Sequence, residues 1–332
     1  MSRLLPILLV LLLAGCTTEQ EPAEPRRGPT SSTSTSPSAS PSRPAPSAAA
    51  LAPSPSPSPR RGPPGAGKVS TALETVRHLA GRIGPRQATG TEYRRAARWV
   101  ADRLSRLGYS VRRQQVRVPG GVSWGVRVPA GTSVNVVAVP EGADLTQPHL
   151  IVGAHLDTVP QAPGAEDNAS GVGVLLAAAQ AVAGEDTRLP VAFVAFGAEE
   201  PRGSTDADHH YGSRSYVERL GRAERAAIRG MVSLDRVGVG TTLPVCSAGT
   251  GRDRLRGELL RAARRAGVSA RSCAGNRASD HWSFVRAGMS GVRLGGTPYA
   301  GYHSPGDVPG VVSAPQLRRA LRTVIAWVSA SR

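Results

Sequence analysis

Residues 150–173, LIVGAHLDTVPQAPGAEDNASGVG, place a histidine and two acids directly after a short apolar run. The run predicts a buried strand over residues 150–154, which is followed by His155 and Asp157. A turn-rich loop then brings Asp167 to the start of a helix of small residues. Because α/β proteins hold their functional groups at strand ends, this stretch predicts both an α/β fold and the position of its site.

Hydrophobic periodicity predicts further helices and strands on both sides of this stretch. The predicted helices cover residues 70–80, 91–107, 170–182, 252–266 and 314–330, and the predicted strands cover residues 109–118, 133–139, 150–154, 190–196, 231–234 and 291–294. The strand at 190–196, PVAFVAF, is apolar throughout, as in strands that are buried on both faces. We therefore expect a single α/β domain with a central mixed, mostly parallel β-sheet flanked by helices on both faces.

Residues 1–15 resemble a bacterial lipoprotein signal peptide. Arg3 precedes an apolar run that is too short to need to span a membrane, and small residues stand directly before Cys16. Cleavage of such a signal leaves Cys16 as the lipidated first residue. This predicts an exported protein that is anchored to the outer face of the bacterial cell membrane. The alternative is an ordinary secretory signal in which Cys16 is incidental.

Residues 16–68 differ sharply in composition from the rest of the chain, since Pro, Ser, Ala and Thr dominate them. A segment with so little to bury cannot repay the entropy cost of ordering, which predicts a disordered tether. The chain has 332 residues, of which 40% are hydrophobic. Residues 69–332 are therefore long enough to form one large domain with a sizeable core.

The chain is strongly basic, with a net charge of +17. Such a charge can attract anionic envelope polymers, lipid head groups or nucleic acid. All basic residues except Lys68 are arginines scattered along the chain, and aromatic residues make up only 4%. With no nucleic-acid-binding motif and no aromatic stacking platform, we do not expect nucleic acid as a partner.

Two cysteines remain besides Cys16, namely Cys246 and Cys273. An even pair of cysteines in an exported protein favours a disulfide. Two free buried thiols are the alternative, because spacing alone does not establish that the two residues lie close together.

Other predicted strands also end on acids or are followed by a histidine. Glu199 and Glu200 follow one apolar strand, Asp235 follows another, and His303 lies in the loop after the last. Since parallel strands end at one edge of a sheet, these groups can share a crevice with those of residues 150–173. So many carboxylates in one crevice would repel one another, and bound divalent metal ions would remove that repulsion.

The donor atoms suit zinc. Two imidazoles and three carboxylates supply two zinc sites if one carboxylate bridges them. Asp157 lies two positions after His155, on the same face of an extended strand, where it can fix the tautomer of the imidazole. Of the adjacent Glu199 and Glu200, one can bind metal while the other takes a proton from water and returns it to the leaving group.

Five segments, HLDT, EDNASG, FGAEE, SLDRVG and GYHSPGD, resemble in sequence and order the motifs of the zinc aminopeptidase family, family 28 of the metallopeptidases in clan MH. The resemblance covers nearly all of residues 70–332. It implies the fold of that family and two Zn²⁺ ions held by histidines and carboxylates: His155 with Asp235 at one ion, Glu200 with His303 at the other, and Asp167 bridging them.

The same resemblance implies roles for residues that bind no metal. Glu199 would be the general base, and Tyr302 would stabilise the oxyanion of the tetrahedral intermediate. The protein would then be an aminopeptidase, which acts on peptides with a free N-terminus. Residues 279–281, Ser-Asp-His, match a further family motif beside the site, to which we assign no catalytic role.

The chain departs from the family after Glu200. Family members usually have a short Gly-rich turn there, whereas residues 201–211, PRGSTDADHHY, intervene before Gly212. The two aspartates and two histidines of this insertion could suggest a third metal site. We interpret it instead as a solvated loop at the substrate entrance, because a local, flexible segment lacks the rigid presentation that metal sites need.

Two other functions remain open. Carboxypeptidases and glutaminyl cyclases are related to this family, the cyclases with a single zinc, so C-terminal trimming or cyclisation of N-terminal glutamine is one alternative. A non-catalytic module that binds the cell envelope is the other. Glu199 argues against it, because a binding protein has no use for a free base beside the metals.

Overall fold

A mixed β-sheet of eight strands forms the centre of the structure, a computed structural model that describes residues 68–329. The strands of the protein are β1 (Tyr109–Val118), β2 (Gly121–Ser123), β3 (Val126–Val128), β4 (Gly131–Pro140), β5 (His149–His155), β6 (Val191–Phe196), β7 (Ile228–Leu234), β8 (Leu243–Ser247), β9 (Ala270–Cys273) and β10 (Gly291–Leu294). The central sheet has the order β1-β4-β6-β5-β7-β10-β8-β9, and β2 and β3 form a separate hairpin.

The middle of the sheet is parallel. Strand β5 pairs in parallel with β6 and β7, and β10 pairs in parallel with β7. One edge is extended by β4 and β1 in antiparallel fashion, and the other by antiparallel β8 followed by parallel β9. The predicted mixed, mostly parallel sheet is confirmed. Because the central strands run in one direction, the polar residues that follow them all lie at one edge.

Helices cover both faces of the sheet. They are α1 (Val69–Val76), α2 (Thr91–Arg106), α3 (Gly171–Val182), α4 (Tyr211–Glu218), α5 (Arg222–Ala227), α6 (Arg254–Arg265), α7 (His281–Arg286) and α8 (Ala314–Val328). Helix α1 continues into a π-helical segment, Arg77–Ile83.

Alternate residues of a central strand enter different hydrophobic cores. Along β5, Leu150 and Val152 belong to a large core that includes residues of α1, α2, α3, α6 and α8. Between them, Ile151 belongs to a smaller core with residues of α4 and α7. Side chains of a strand point to opposite faces in turn, so a strand buried on both faces must be apolar along its whole length.

Cys246 and Cys273 form a disulfide that links the neighbouring strands β8 and β9. Over residues 68–329, no helix is both long enough and apolar enough to cross a membrane. The predicted signal peptide, Cys16 and the predicted tether up to residue 67 lie outside the described residues.

Candidate metal centre

His155 is the last residue of β5, and its imidazole is buried at the carboxyl edge of the sheet. Its Nδ1 lies 3.2 Å from the backbone oxygen of Asp157. Because a carbonyl oxygen can only accept a hydrogen bond, Nδ1 carries a hydrogen, which leaves Nε2 as the nitrogen that would bind a metal once it is deprotonated. Nε2 faces Asp167 Oδ1 at 3.0 Å and Asp235 Oδ1 at 3.9 Å, so it points to where a metal would bind.

The carboxylate of Asp157 has contacts that the sequence does not reveal. It lies 3.8 Å from Nδ1 of His155, beyond hydrogen-bonding distance. Its two oxygens instead accept the backbone N–H groups of Glu199 at 3.0 Å and of Glu200 at 3.1 Å. Asp157 thus orients His155 through its carbonyl group, while its carboxylate holds the paired glutamates at the end of β6.

The carboxylate of Asp167 lies between two histidines. Oδ1 is 3.0 Å from Nε2 of His155, and Oδ2 is 3.2 Å from Nε2 of His303. The carboxylate oxygens of Asp307 accept the backbone N–H groups of Glu166 at 2.8 Å and of Asp167 at 3.1 Å, which fixes this turn. A carboxylate that faces two imidazoles has the placement that a bridging ligand requires.

Each histidine has a further carboxylate beside it. Nε2 of His303 lies 3.3 Å from Oε2 of Glu200, whose other oxygen has no hydrogen-bond partner among the described residues. Asp235, beside His155, forms an ion pair with the buried guanidinium of Arg293 at 3.1 Å. The structure therefore brings together all the residues that the sequence predicts as metal ligands.

The acids of this cluster destabilise one another's charged forms. Burial raises the pKa of Glu199 and that of Glu200 to about 8; the charges of His155 and His303 oppose this effect, and those of neighbouring carboxylates add to it. Burial alone would lower the pKa of His303, but the Glu200 charge and a hydrogen bond with Asp167 raise it to about 10. Burial of Asp235 is outweighed by Arg293 and His155, which hold its pKa below the usual range. The site therefore has an excess of negative charge that cations would balance.

The geometry fits zinc. Ligand atoms of His155, Glu199 and Asp235 lie within 4.8 Å of one another, as do those of His155, Asp167 and Glu200. Imidazole nitrogen and carboxylate oxygen are both zinc donors, and the unpartnered oxygen of Glu200 has the free lone pairs that a ligand needs. Glu199 is in the first of these groups only because one of its carboxylate oxygens is close to the ligand atoms of His155 and Asp235.

Tyr302 covers the site from outside. Its ring stacks on His303 with a centroid distance of 3.7 Å, and the guanidinium carbon of Arg236 lies 4.4 Å from its centroid. Burial, followed by the charge of Asp167, raises the pKa of Tyr302 well above its usual range. The hydroxyl therefore stays protonated and can donate a hydrogen bond to a developing negative charge.

The interpretation of residues 201–211 as a solvated loop is wrong for three of its residues, because Pro201, Arg202 and His210 are buried. Nε2 of His210 lies 3.2 Å from Oε1 of Glu199. The end of the insertion also returns to β6, since His210 N–H donates to the backbone oxygen of Glu199 at 3.0 Å. A Cβ on Gly212 would overlap the carbonyl oxygen of Gly197, so only glycine fits at this position. Sequence reasoning missed the role of His210, for which the His-His pair at residues 209–210 was a signal.

The Ser-Asp-His segment lies in the interior beside this cluster. Asp280 is fully buried, and burial together with the charge of Glu199 raises its pKa to about 7. Nε2 of His281 donates to the backbone oxygen of Asn276 at 2.8 Å, and burial lowers the pKa of His281 to about 3, so the ring is neutral. The charges of Asp280 and Glu199 therefore disfavour each other.

Backbone strain is concentrated at the site. Over residues 68–329, the non-glycine residues with positive φ are Trp124, Ala198, His210, Arg236 and His303. Each one is a residue of the cluster, is adjacent to one, or contacts one. Left-handed backbone at such residues is unfavourable and persists where surrounding contacts enforce it, which is typical of functional sites.

The sequence of this chain is similar to those of known proteins. The sequence model of peptidase family M28 matches residues 135–328. Aminopeptidase YwaD of Bacillus subtilis is 29% identical over 208 residues, which are 59% of this chain and 44% of that protein. Leupeptin-inactivating enzyme 1 of Streptomyces exfoliatus is 30% identical over 173 residues, 51% of this chain and 35% of that protein. The matched region thus spans less than half of either relative.

Solved structures share the fold. The zinc aminopeptidase BSAP from Bacillus subtilis superimposes with a TM-score of 0.70 at 20% identity, covering 79% of this chain and 94% of that one. A glutaminyl cyclase of Bacteroides thetaiotaomicron, solved with N-acetylhistamine, superimposes with a TM-score of 0.66 at 19% identity, covering 80% of this chain and 98% of that one. At this level of identity the likeness shows a common fold alone.

Proposed function

This chain belongs to peptidase family M28, and on that premise we propose that it is a di-zinc aminopeptidase that removes N-terminal residues from peptides. The observation that carries the proposal is the carboxylate of Asp167 between His155 and His303, with Glu199 buried beside it. The aminopeptidase relatives support this choice of reaction.

Each zinc ion would have its own pair of ligands, and one further ligand would be shared. His155 and Asp235 would hold one ion, Glu200 and His303 the other, and Asp167 both. When bound, zinc supplies Lewis acidity, which polarises a carbonyl oxygen and lowers the pKa of water.

The remaining residues would handle protons and charge. Glu199 takes the proton of the attacking water and returns it to the amine that leaves, which requires a carboxylate that is not consumed as a ligand. Its contact with His210 fixes one oxygen and leaves the other for the water. The Tyr302 hydroxyl donates to the oxygen of the tetrahedral intermediate. The carboxylate of Asp157 accepts the N–H groups of Glu199 and Glu200 and so fixes the backbone positions of both residues.

The test compares three forms of one peptide, incubated with the purified, zinc-loaded protein: unmodified, N-acetylated and C-amidated. An aminopeptidase releases the first residue from the unmodified and amidated forms and leaves the acetylated form intact. Glu199→Gln should lower kcat about 10²- to 10⁴-fold while zinc content is retained. The matched control is Glu141→Gln, at an exposed glutamate that directly follows β4. It should change neither kcat nor zinc content.

Other outcomes point to the alternatives. Cleavage of the acetylated but not the amidated form would identify a carboxypeptidase. The likeness in fold to a glutaminyl cyclase supports a second candidate, cyclisation of N-terminal glutamine. Release of ammonia from a glutaminyl peptide, by a preparation with a single tightly bound zinc, would favour it. Absence of any bound metal on elemental analysis would favour a non-catalytic envelope-binding module.

We also propose that the enzyme acts outside the cell, held to the membrane through a lipid on Cys16. The support is the sequence of residues 1–16, and the composition of residues 17–67 supports a tether between the anchor and the domain.

A further inference from the structure

The hairpin β2–β3 presents an exposed tryptophan beside the metal centre. Its two strands pair only with each other, and Trp124 and Gly125 form the turn between them. Trp124 is 54% exposed, and its ring lies edge-on to that of His303, with centroids 4.3 Å apart. Since Nε2 of His303 contacts Asp167 and Glu200, only one imidazole separates the indole from the centre of the site.

Tryptophan is not a residue that the conformation of this turn favours. Trp124 has a φ of 44° and Gly125 a φ of 81°. Positive φ at both central residues is the pattern of a type I′ turn, whose first position favours Asn, Asp or Gly. A bulky side chain there is strained, and such local conflicts are retained where a residue has another task.

Contacts with the rest of the site fix the hairpin, which would be marginally stable by itself. The N–H of Val122 donates to the backbone oxygen of Arg202 at 3.1 Å, and Arg202 Nη1 donates to the backbone oxygen of Pro129 at 3.2 Å. Gln161 Nε2 lies 3.4 Å from the Trp124 oxygen and 3.3 Å from the His303 oxygen. These contacts fix the backbone of the turn that carries the indole.

Exposed apolar side chains are concentrated at this position. Over residues 68–329, the large hydrophobic residues that are exposed are Val122, Trp124, Val126, Tyr302 and Val308. The first three belong to the hairpin or its strands and the others to the loop that carries His303. A local concentration of exposed apolar surface beside a polar site indicates that an apolar group of a ligand is buried there.

We propose that Trp124 is a specificity-determining residue that packs against an apolar side chain flanking the scissile bond. The preferred substrates are then peptides with a leucine-sized or aromatic residue on either side of that bond. The proposal rests on the proposed peptidase function, because it places the scissile bond at the metal centre.

The experiment measures kcat/KM of the full-length, zinc-loaded protein for peptides with leucine or glycine at the first position, and again at the second. Trp124→Ala should lower kcat/KM for the leucine peptides about 10- to 100-fold at one of these positions and change the glycine peptides less than about threefold. Trp124→Phe, which keeps an aromatic ring, should retain most of the discrimination. Zinc content and the thermal melt of each variant separate this effect from loss of the fold.

A binding measurement is independent of turnover. Free leucine should change the tryptophan emission of the wild type and of the control Trp99→Phe, whose indole stacks on His78 of the first helical segment. The change should be absent in Trp124→Phe, and glycine should produce little change in any variant.

The results that would overturn the proposal are distinct from those that would overturn the proposed function. Equal losses for leucine and glycine peptides in Trp124→Ala, with zinc retained, would remove the specificity role and leave the peptidase intact. A leucine-induced emission change that persists in Trp124→Phe would also remove it. If the wild type cleaves no peptide, the proposed function fails, and the emission measurement still decides whether Trp124 contacts an apolar side chain.

Discussion

Asp167 offers two carboxylate oxygens to two imidazoles, whereas His155 offers a single nitrogen. Asp167→Asn replaces one of these oxygens by an amide nitrogen that has no lone pair for a metal. We therefore expect Asp167→Asn to deplete both zinc ions and His155→Ala to deplete mainly one. Elemental analysis after dialysis against a weak chelator measures this directly.

The control for this comparison is Asp102→Asn, at an exposed position of α2, which should retain the zinc content of the wild type. Equal depletion of both ions by His155→Ala, together with a harmless Asp167→Asn, would contradict the bridging role of Asp167.

Zinc binding should depend on pH because the ligands hold protons without it. The pKa of Glu200 is raised to about 8 by burial and nearby carboxylates, and that of His303 to about 10 by Glu200 and Asp167 against the effect of burial. At pH 7 zinc must displace both protons, so its affinity should rise from pH 6 to pH 8 by about tenfold per pH unit for each proton released. Chelator competition at each pH, with proton release followed in weak buffer, gives both numbers. An affinity that is flat over this range would show that the ligands are already deprotonated.

The predicted ligands could be identified from sequence because each lies within a short motif that has its own chemistry. HLDT and EDNASG supply His155 and Asp167, which the fold then brings together across the edge of the sheet. His210 and Arg293 could not be identified in this way. One belongs to an insertion and the other to an ordinary-looking strand, and both meet the site only through tertiary packing.

At the level of the elements, two loops that carry functional residues are held in the same way, each by an aspartate that accepts two consecutive backbone N–H groups. Asp157 accepts two consecutive N–H groups at Glu199 and Glu200, and Asp307 accepts two at Glu166 and Asp167. A carboxylate has acceptor sites on both oxygens, whereas an amide has them on only one. The placement of these loops therefore depends on acids that bind no metal.

Asp307→Asn should consequently lower zinc affinity about 10- to 100-fold, as is typical of residues that orient ligands. Burial raises the pKa of Asp307, against the effect of these N–H bonds. The matched control is Asp253→Asn, because Asp253 accepts the N–H of Arg256 at 2.8 Å as the cap of α6, where asparagine caps equally well. Zinc titration of both variants tests this; equal affinities would show that the turn is held by other contacts.

The elements that could be predicted from sequence are those with long, regular patterns. The predicted strand at 109–118 coincides with β1, and the predicted helix at 91–107 ends one residue beyond α2. The hairpin β2–β3 could not be predicted, because its strands have three residues each and bury little. Its stability comes from Arg202 and Gln161, which are remote in sequence, so no local pattern records it.

For the molecule as a whole, every residue to which we assign a role in catalysis lies between His155 and His303. Residues 1–68 have a separate composition, and we assign none of the site's ligands to them. Anchoring and catalysis should therefore be separable, since a lipid on Cys16 would determine only where the domain is held.

Cys16→Ser should accordingly move the protein from the membrane fraction to the soluble fraction, because serine cannot receive the thioether-linked lipid that a lipoprotein signal directs. Detergent phase partitioning and incorporation of labelled fatty acid by the wild type measure the anchor, and kcat/KM for a leucine peptide should change less than about twofold in the variant, since its metal centre is intact. The double variant Cys246→Ser, Cys273→Ser is the control for loss of cysteine as such; it removes the disulfide between β8 and β9 and should remain in the membrane fraction. A wild type that incorporates no fatty acid, or a Cys16→Ser variant that stays with the membrane, would leave residues 1–15 as an ordinary secretory signal.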